Sequence, residues 1–258
     1  MSLKIEFISQ KDFRDIIPEP IPADKFFPKW YQNLPKKISK CPFSFKSSIY
    51  DIEYDSKLGI KGCLGIQDFL KTGYIIPSWS NFIFREDNNS LYVNWIENPI
   101  ETDYYCHSWE QFPSMDNPPP YNHFGKIITP WVIKTSPGVS CLITHPVWHR
   151  SKKFTTSTGI FHTDKSPLHL PWFFEWNYKI KSGMDLETMS VDDQVIEKND
   201  PIMLIIPFYR KKFDSQVKYV EKSEFNRYHF LQNNNTHHIK FNDDIYRKFR
   251  KSIGRMFK

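Results

Sequence analysis

Alanine is nearly missing from this 258-residue chain: Ala23 stands alone. Without the best helix former, long helices are a poor expectation. Glycine is also scarce, at nine residues, so Gly-rich phosphate cradles have little to be made from. No P-loop, no G-x-G-x-x-G and no G-x-S-x-G occurs. Four cysteines, Cys41, Cys63, Cys106 and Cys141, are spaced too widely for a paired zinc motif and read as buried, reduced thiols. No stretch approaches 18 apolar residues and no charged leader precedes an apolar run. The expectation is a soluble intracellular protein with neither membrane span nor signal peptide. The net charge of +6 falls short of the clustered basic face that nucleic-acid binding demands.

Aromatic and β-branched residues fill the gap. Phe (22), Tyr (13) and Trp (8) make 17% of the chain, and 40% of residues are hydrophobic, which is ample for a core. Nineteen prolines break that material into short segments, so many short strands joined by turns are expected. The pattern is densest from Trp131 to Phe208, where apolar runs alternate with Pro, Gly, Asn and Asp clusters.

Taken in order, residues 3–8 alternate as a strand. Pro18, Pro20, Pro22 and Pro28 then favour an extended segment lying over a surface. Residues 29–34 predict one helical turn with Trp30 and Tyr31 as anchors, Trp30 as packing rather than ligand contact. The spacing in CLGIQDFL predicts a helix over 63–70, stopped near Gly73. YIIPSWSNFIF and SLYVNWIE flank the turn formers Asp87, Asn88 and Asn89 and predict a β-hairpin. The proline-dense segment 101–125 predicts an irregular loop. YRKKFDSQVKYVEK holds one more candidate strand. The last residues place Ile245, Phe249, Ile253 and Met256 at helical spacing behind a capping Asn242, and seven basic residues from Lys240 onward meet only Asp243 and Asp244. An amphipathic C-terminal helix follows, docked on its own domain or on a second subunit; the competing reading is a basic helix lying on an anionic membrane or beside nucleic acid.

Two clusters carry candidate chemistry. His162-Thr163-Asp164 offers a His-x-Asp pair; with a distant His229, His237 or His238 it would complete the two-His, one-carboxylate set that holds Fe(II) and leaves positions open. Arg210 or Arg227 would then receive the 2-oxoglutarate carboxylate. The competing reading is a turn in which Asp164 caps amides. In THPVWHR, His145 and His149 lie four apart, but Pro146 argues against a helix. They read as strand-end or loop histidines in partly exposed, pH-sensitive positions. Arg150, Lys152 and Lys153 beside them form a short cationic cluster suited to a phosphate or carboxylate.

The runs WVIKTSPGVSCLITHP, FTTSTGIFHTD, LHLPWFF and IEKNDPIMLIIPFYRKKF, with FPKWYQNLP and GYIIPSWSNF upstream, are similar to a family of proteins found in tailed phages of marine bacteria and in some bacteria, related to the DUF6065 group. The resemblance covers most of the chain and implies a viral accessory or structural role, in the host cytoplasm or the virion. More distantly, GIFHTDKSPLHLPWFF followed by VIEKNDPIMLIIPF looks like the dUTPase pattern, which implies a β-clip or jelly-roll-like domain that often assembles as trimers. The catalytic match does not carry over. His162 stands where dUTPases place the water-orienting aspartate, Lys165 stands at the tyrosine over the nucleotide, and Pro167 replaces the hairpin glycine. Asp164 alone keeps its type.

The reading is therefore a mainly β, single-domain protein, an antiparallel β-sandwich, jelly roll or β-clip. Residues 1–36 form an extended N-terminal segment, 37–232 the β domain with a short helix near 63–71, and 233–258 a linker and basic helix. The expected function is binding of a protein partner or small ligand through an aromatic-rich β surface, without catalysis or cofactor, at His145, His149, Arg150, His162 and Asp164. The alternative is an Fe(II)/2-oxoglutarate dioxygenase using His162, Asp164 and His229, or a degenerate dUTPase-like hydrolase.

Overall fold

The computed structural model describes residues 3–35, 60–87, 90–96, 103–107, 123–166, 168–177 and 195–228. The chain forms two compact units, residues 1–210 and 211–258. The first carries every strand among the described residues. These are β1 (Ile5–Ile8), β2 (Ile21–Pro22), β3 (Tyr74–Pro77), β4 (Asn81–Asp87), β5 (Ser90–Ile96), β6 (Tyr104–His107), β7 (His123–Thr135), β8 (Val139–Thr144), β9 (Phe154–Thr156), β10 (Gly159–Phe161), β11 (Leu168–Trp176), β12 (Val195–Ile196) and β13 (Pro201–Tyr209). Two helices interrupt them, α1 (Lys29–Gln32) and α2 (Leu64–Leu70).

Three antiparallel sheets result. One has the order β1-β7-β11-β9, with β6 sharing the β1 edge of β7; the second runs β10-β8-β13-β3-β2; a small third is β12-β4-β5. The predicted hairpin is the β4–β5 pair, in register from Asn81↔Ile96 to Asp87↔Ser90. Strand alternation sends every second side chain to one face. Leu170, Trp172, Phe174 and Trp176 of β11 thus enter the same buried cluster as Cys141 and Ile143 of β8, Ile205 of β13 and Phe82 and Phe84 of β4. The sheets share one core, and the architecture is the expected mainly β, antiparallel sandwich.

Stacked rings dominate that core. Trp172 lies on Phe174 with centroids 4.3 Å apart, and Phe84 lies on Trp176 at 4.0 Å. Each such pair contributes about 0.5–1.5 kcal/mol beyond the burial of its area. The indole of Trp172 keeps a partner while fully buried: its Nε1–H donates to Thr156 Oγ1 at 3.2 Å, and the Thr156 hydroxyl in turn donates to the Ile202 carbonyl. Gly125 lets the neighbouring strand pass, because a Cβ there would sit 2.5 Å from the Phe174 ring.

One end of the opposite face of the second sheet is covered. Ala23, Ile75 and Leu204 form a small buried cluster under Phe26 and Phe69. There the N-terminal segment and α2 lie over the sheet, and the lone alanine is buried, with its N–H bonded to Gly73 O.

Several expectations need correction. Segment 101–125 is not wholly a loop: β6 and the start of β7 lie in it, because Tyr104–His107 can pair with the exposed edge of a 13-residue strand. Cys63 and Cys106 are exposed, and only Cys141 is buried among the described thiols. Residues 211–220 form no strand although they alternate suitably. Phe213, Val217 and Tyr219 stay exposed, and the second unit's described helical residues are 222–228, with Lys218 paired to Glu224 at 3.1 Å. The predicted C-terminal helix, like His229, His237, His238, Cys41 and the turn residues Asn88 and Asn89, lies outside the described residues. No helix among the described residues is long and apolar enough to cross a membrane.

Candidate functional site

Strand β8 carries the candidate residues to its two ends. At its start, the register Phe161↔Cys141 continues so that His162 falls beside Ser140, and Phe208 pairs Ser140 from the other side. A period of two then brings Ser140, His162, Asp164 and Arg210 to one face, while Thr163 turns inward to hydrogen-bond Thr135 Oγ1 at 2.7 Å. Arg210 Nη1 donates to Asp164 Oδ1 at 2.7 Å and to Ser140 Oγ at 2.6 Å; its Nη2 bonds Asp164 Oδ2. The Gly138 N–H adds a second bond to Oδ2 at 2.8 Å. Gly138 has φ +83°, and a Cβ would lie 2.7 Å from the Tyr209 ring, so this turn requires glycine.

The arrangement explains its electrostatics. Hydrogen bonds from Arg210, helped by the Gly138 amide, hold the Asp164 carboxyl far below the ordinary carboxylate range, against the opposing effect of desolvation. Because a guanidinium only donates, His162 Nδ1, 3.2 Å from Arg210 Nη1, serves as acceptor for the Ser140 hydroxyl at 2.8 Å. Sequence reasoning named His162 and Asp164 but missed Ser140 as their neighbour.

A Ser, a His and an Asp thus lie together, but not in the arrangement of a serine-hydrolase triad. Ser140 is completely buried, and the Asp164 carboxylate grips Arg210 rather than orienting the imidazole. A hydrolytic nucleophile needs the opposite of both. An iron set would have to share its carboxylate with Arg210, and its candidate third ligands His229, His237 and His238 lie outside the described residues. Both Asp164 oxygens are already taken, Arg210 is spent on Asp164 rather than open to 2-oxoglutarate, and an iron ion would have to displace a guanidinium. Among the described residues no three His, Cys, Asp or Glu side chains gather within reach of one metal ion. Arg227 belongs to the second unit, where it is exposed.

The far end of β8 is built differently. His145 follows the strand directly and is buried, not partly exposed as expected; the Thr156 N–H donates to its Nδ1 at 3.1 Å and the Phe154 ring meets it edge-on. Pro146 then forces a single 3-10 turn, Val147–His149, so the two histidines never share a helical face. His149 stacks on Phe26 at 5.3 Å. Desolvation lowers the His145 pKa; desolvation and the neighbouring His145 lower that of His149 to about 4. Both imidazoles are therefore neutral near pH 7, which removes the expected pH sensitivity in that range.

Arg150 leaves this turn in the left-handed region at φ +56°, which is uncommon for a residue with a side chain. Its guanidinium lies 4.0 Å over the Trp30 ring, and the Trp30 indole N–H donates to the Trp148 carbonyl at 2.6 Å. Trp30 is half-buried and packs on Tyr31, Trp148 and Arg150, as expected. The turn points the following cations at a cleft of about 340 Å³, lined by His149, Arg150, Lys152, Lys153, Phe154 and Asp200 among others. Lys153 Nζ donates to the Val195 carbonyl at 2.6 Å, which pins that amine to the cleft wall. Burial raises the Asp200 carboxyl above its ordinary value.

The sequence brought His149, Arg150, Lys152 and Lys153 into view because they are consecutive. Trp30 and Asp200 were not legible as site residues, since both arrive from other segments of the chain. Comparison with models of protein families, with curated proteins and with solved structures found no match.

Proposed function

We propose that this chain is a non-catalytic binding protein, of an accessory or structural kind, that takes a small ligand or protein partner at the cleft beside residues 149–153. One observation carries the reading: the cationic turn opens onto a cleft of about 340 Å³ walled in part by Phe154, Ile196 and Pro201, whereas the polar groups that resemble catalytic sets are consumed by the architecture. Asp164 is tied to Arg210, Ser140 is buried, and His145 holds β9 through the Thr156 amide. Cavities of a few hundred Å³ with a few convergent polar groups are the usual form of ligand sites.

Assays on the purified full chain test the reading. Neither nucleotide hydrolysis with Mg²⁺ nor consumption of 2-oxoglutarate with Fe(II) is expected, and turnover in either would overturn it. Elemental analysis adds an independent check: about one iron per chain, lost in His162→Ala, would establish the dioxygenase alternative instead. The link to tailed phages rests on the sequence resemblance alone. Co-purification with virions tests it, and light scattering tests the oligomer implied by the β-clip likeness.

A further inference from the structure

We infer that residues 212–220 form an antiparallel strand pair with the same residues of a second copy of this chain. This interface goes beyond the function above and does not depend on the cleft.

The segment carries apolar surface that its own chain leaves uncovered. Phe213 is 91% exposed, Val217 80% and Tyr219 94%. Residues 211–219 are exposed throughout, and the backbone makes no turn from 211 to 221. No backbone hydrogen bond to residues 212–220 occurs among the described residues. A solvated linker is built from polar side chains, whereas large apolar residues two or four positions apart make one face of a strand. Extended, unpaired backbone beside such a face is a template for another strand.

The order of residues selects that strand. Two copies placed antiparallel about a two-fold axis at Gln216 bring together positions equally far to either side of it. Phe213 then meets Tyr219, Asp214 meets Lys218 and Ser215 meets Val217. Each pairing occurs twice, because the axis exchanges the copies. One face of the ribbon gathers two Phe–Tyr contacts and two valines; the other gathers two ion pairs, both of them stabilising cross-strand combinations. Neighbouring registers lose this match. An axis at Ser215 opposes Lys212 to Lys218, and one at Val217 opposes Phe213 to Glu221. Lys218 holds Glu224 at 3.1 Å in its own chain. Its ammonium has three donors, so it can take Asp214 of the second copy as well.

Two strands alone are marginal in water, and a helix packed against them supplies what is missing. Residues 222–228 are helical and follow at once, with Phe225 54% and Tyr228 55% exposed. The rings of Phe213 and Tyr219 from both copies account for about 600–1,000 Å². Val217, Phe225 and Tyr228 carry the total to the roughly 1,200 Å² at which stable interfaces begin.

Light scattering of the full-length chain across a concentration series tests the proposal. A dimer is expected. Phe213→Asp combined with Tyr219→Asp, both at exposed positions, is expected to leave a monomer that melts like the parent. Asp214→Lys strikes both ion pairs and is expected to weaken association by about three- to tenfold. Disulfide formation under mild oxidation reads the register, each variant being compared with the parent because Cys63 and Cys106 are exposed. The thiol of Gln216→Cys faces its own copy across the axis and is expected to cross-link. That of Lys212→Cys lies about 27 Å from its copy and is not. A parent that stays monomeric at every concentration, a trimer, association that survives the double substitution, or equal cross-linking at 212 and 216 overturns the proposal. Each of those results leaves the reading of the cleft standing.

Discussion

The two ends of β8 hold similar residues and opposite arrangements. At the Ser140 end, a carboxylate, a guanidinium, a hydroxyl and an imidazole satisfy one another. At the His145 end, the histidines are neutral and buried or half-buried, and the cations beyond them line an open cleft. The lesson concerns pairing. A polar cluster whose donors and acceptors satisfy one another is a fastening, while polar groups that line an open cleft are placed to meet a partner.

The strongest way to break this comparison is Asp164→Ala. It leaves the Arg210 guanidinium and the Gly138 N–H without their acceptor at a half-buried position. A thermal melt is expected to show the largest fall of this set. A variant that melts like the parent would show that the closed end fastens nothing.

Thr156→Val sharpens the other side. The Trp172 N–H loses its acceptor and the Ile202 carbonyl its donor, both fully buried. Urea titration is expected to show a loss of about 1–3 kcal/mol. A smaller loss would mean that β9, which also holds His145, is not fastened through this hydroxyl.

Acid separates the two ends by pH. His145 and His149 resist protonation when folded, whereas the unfolded chain takes up protons from about pH 6.5 downward. Their contribution is whole above that value and is lost as pH falls towards about 4, the folded value of His149. Asp164 has a depressed folded pKa, so its contribution is lost only as pH falls below its ordinary 3.8. Denaturant midpoints across the range are expected to fall in two stages. Replacing His149 with Gln should reduce the first stage and leave the second. A single stage below 3.8 would contradict the burial of the histidines.

The smallest effect is expected for Lys152→Ala, within about 0.5 kcal/mol of the parent in urea. A large loss would make the open end a second fastening and erase the distinction between the two.

Sequence alone reached the local features because their causes are local. The alternation in LKIEFI, the spacing in CLGIQDFL and the Asp-Asn-Asn turn gave β1, α2 and the β4–β5 hairpin within a residue or two. It failed at β6, whose four residues form a strand only because the long β7 offers them an edge. It failed again at 211–220, where an alternating pattern pairs with no strand among the described residues. The site follows the same division. His162 and Asp164 share a face by the two-residue period, and the cations at 150–153 are adjacent in the chain. Arg210 came into view only as a receptor for a substrate, when its partner is Asp164, 46 residues earlier.

What the amino-acid order determined is the material: a single alanine, many aromatic and β-branched residues, and so an antiparallel β core. What only the tertiary structure decided is which polar groups meet. Strand pairing set Arg210 against Asp164, and the cover over one end of the second sheet set Trp30 beneath Arg150. Hydrogen bonds and charges act over a few ångströms, while the residues of these two contacts are separated by 46 and 120 positions in the chain. Their pairing, and with it the difference between a fastening and a binding cleft, exists only once the sheets have closed.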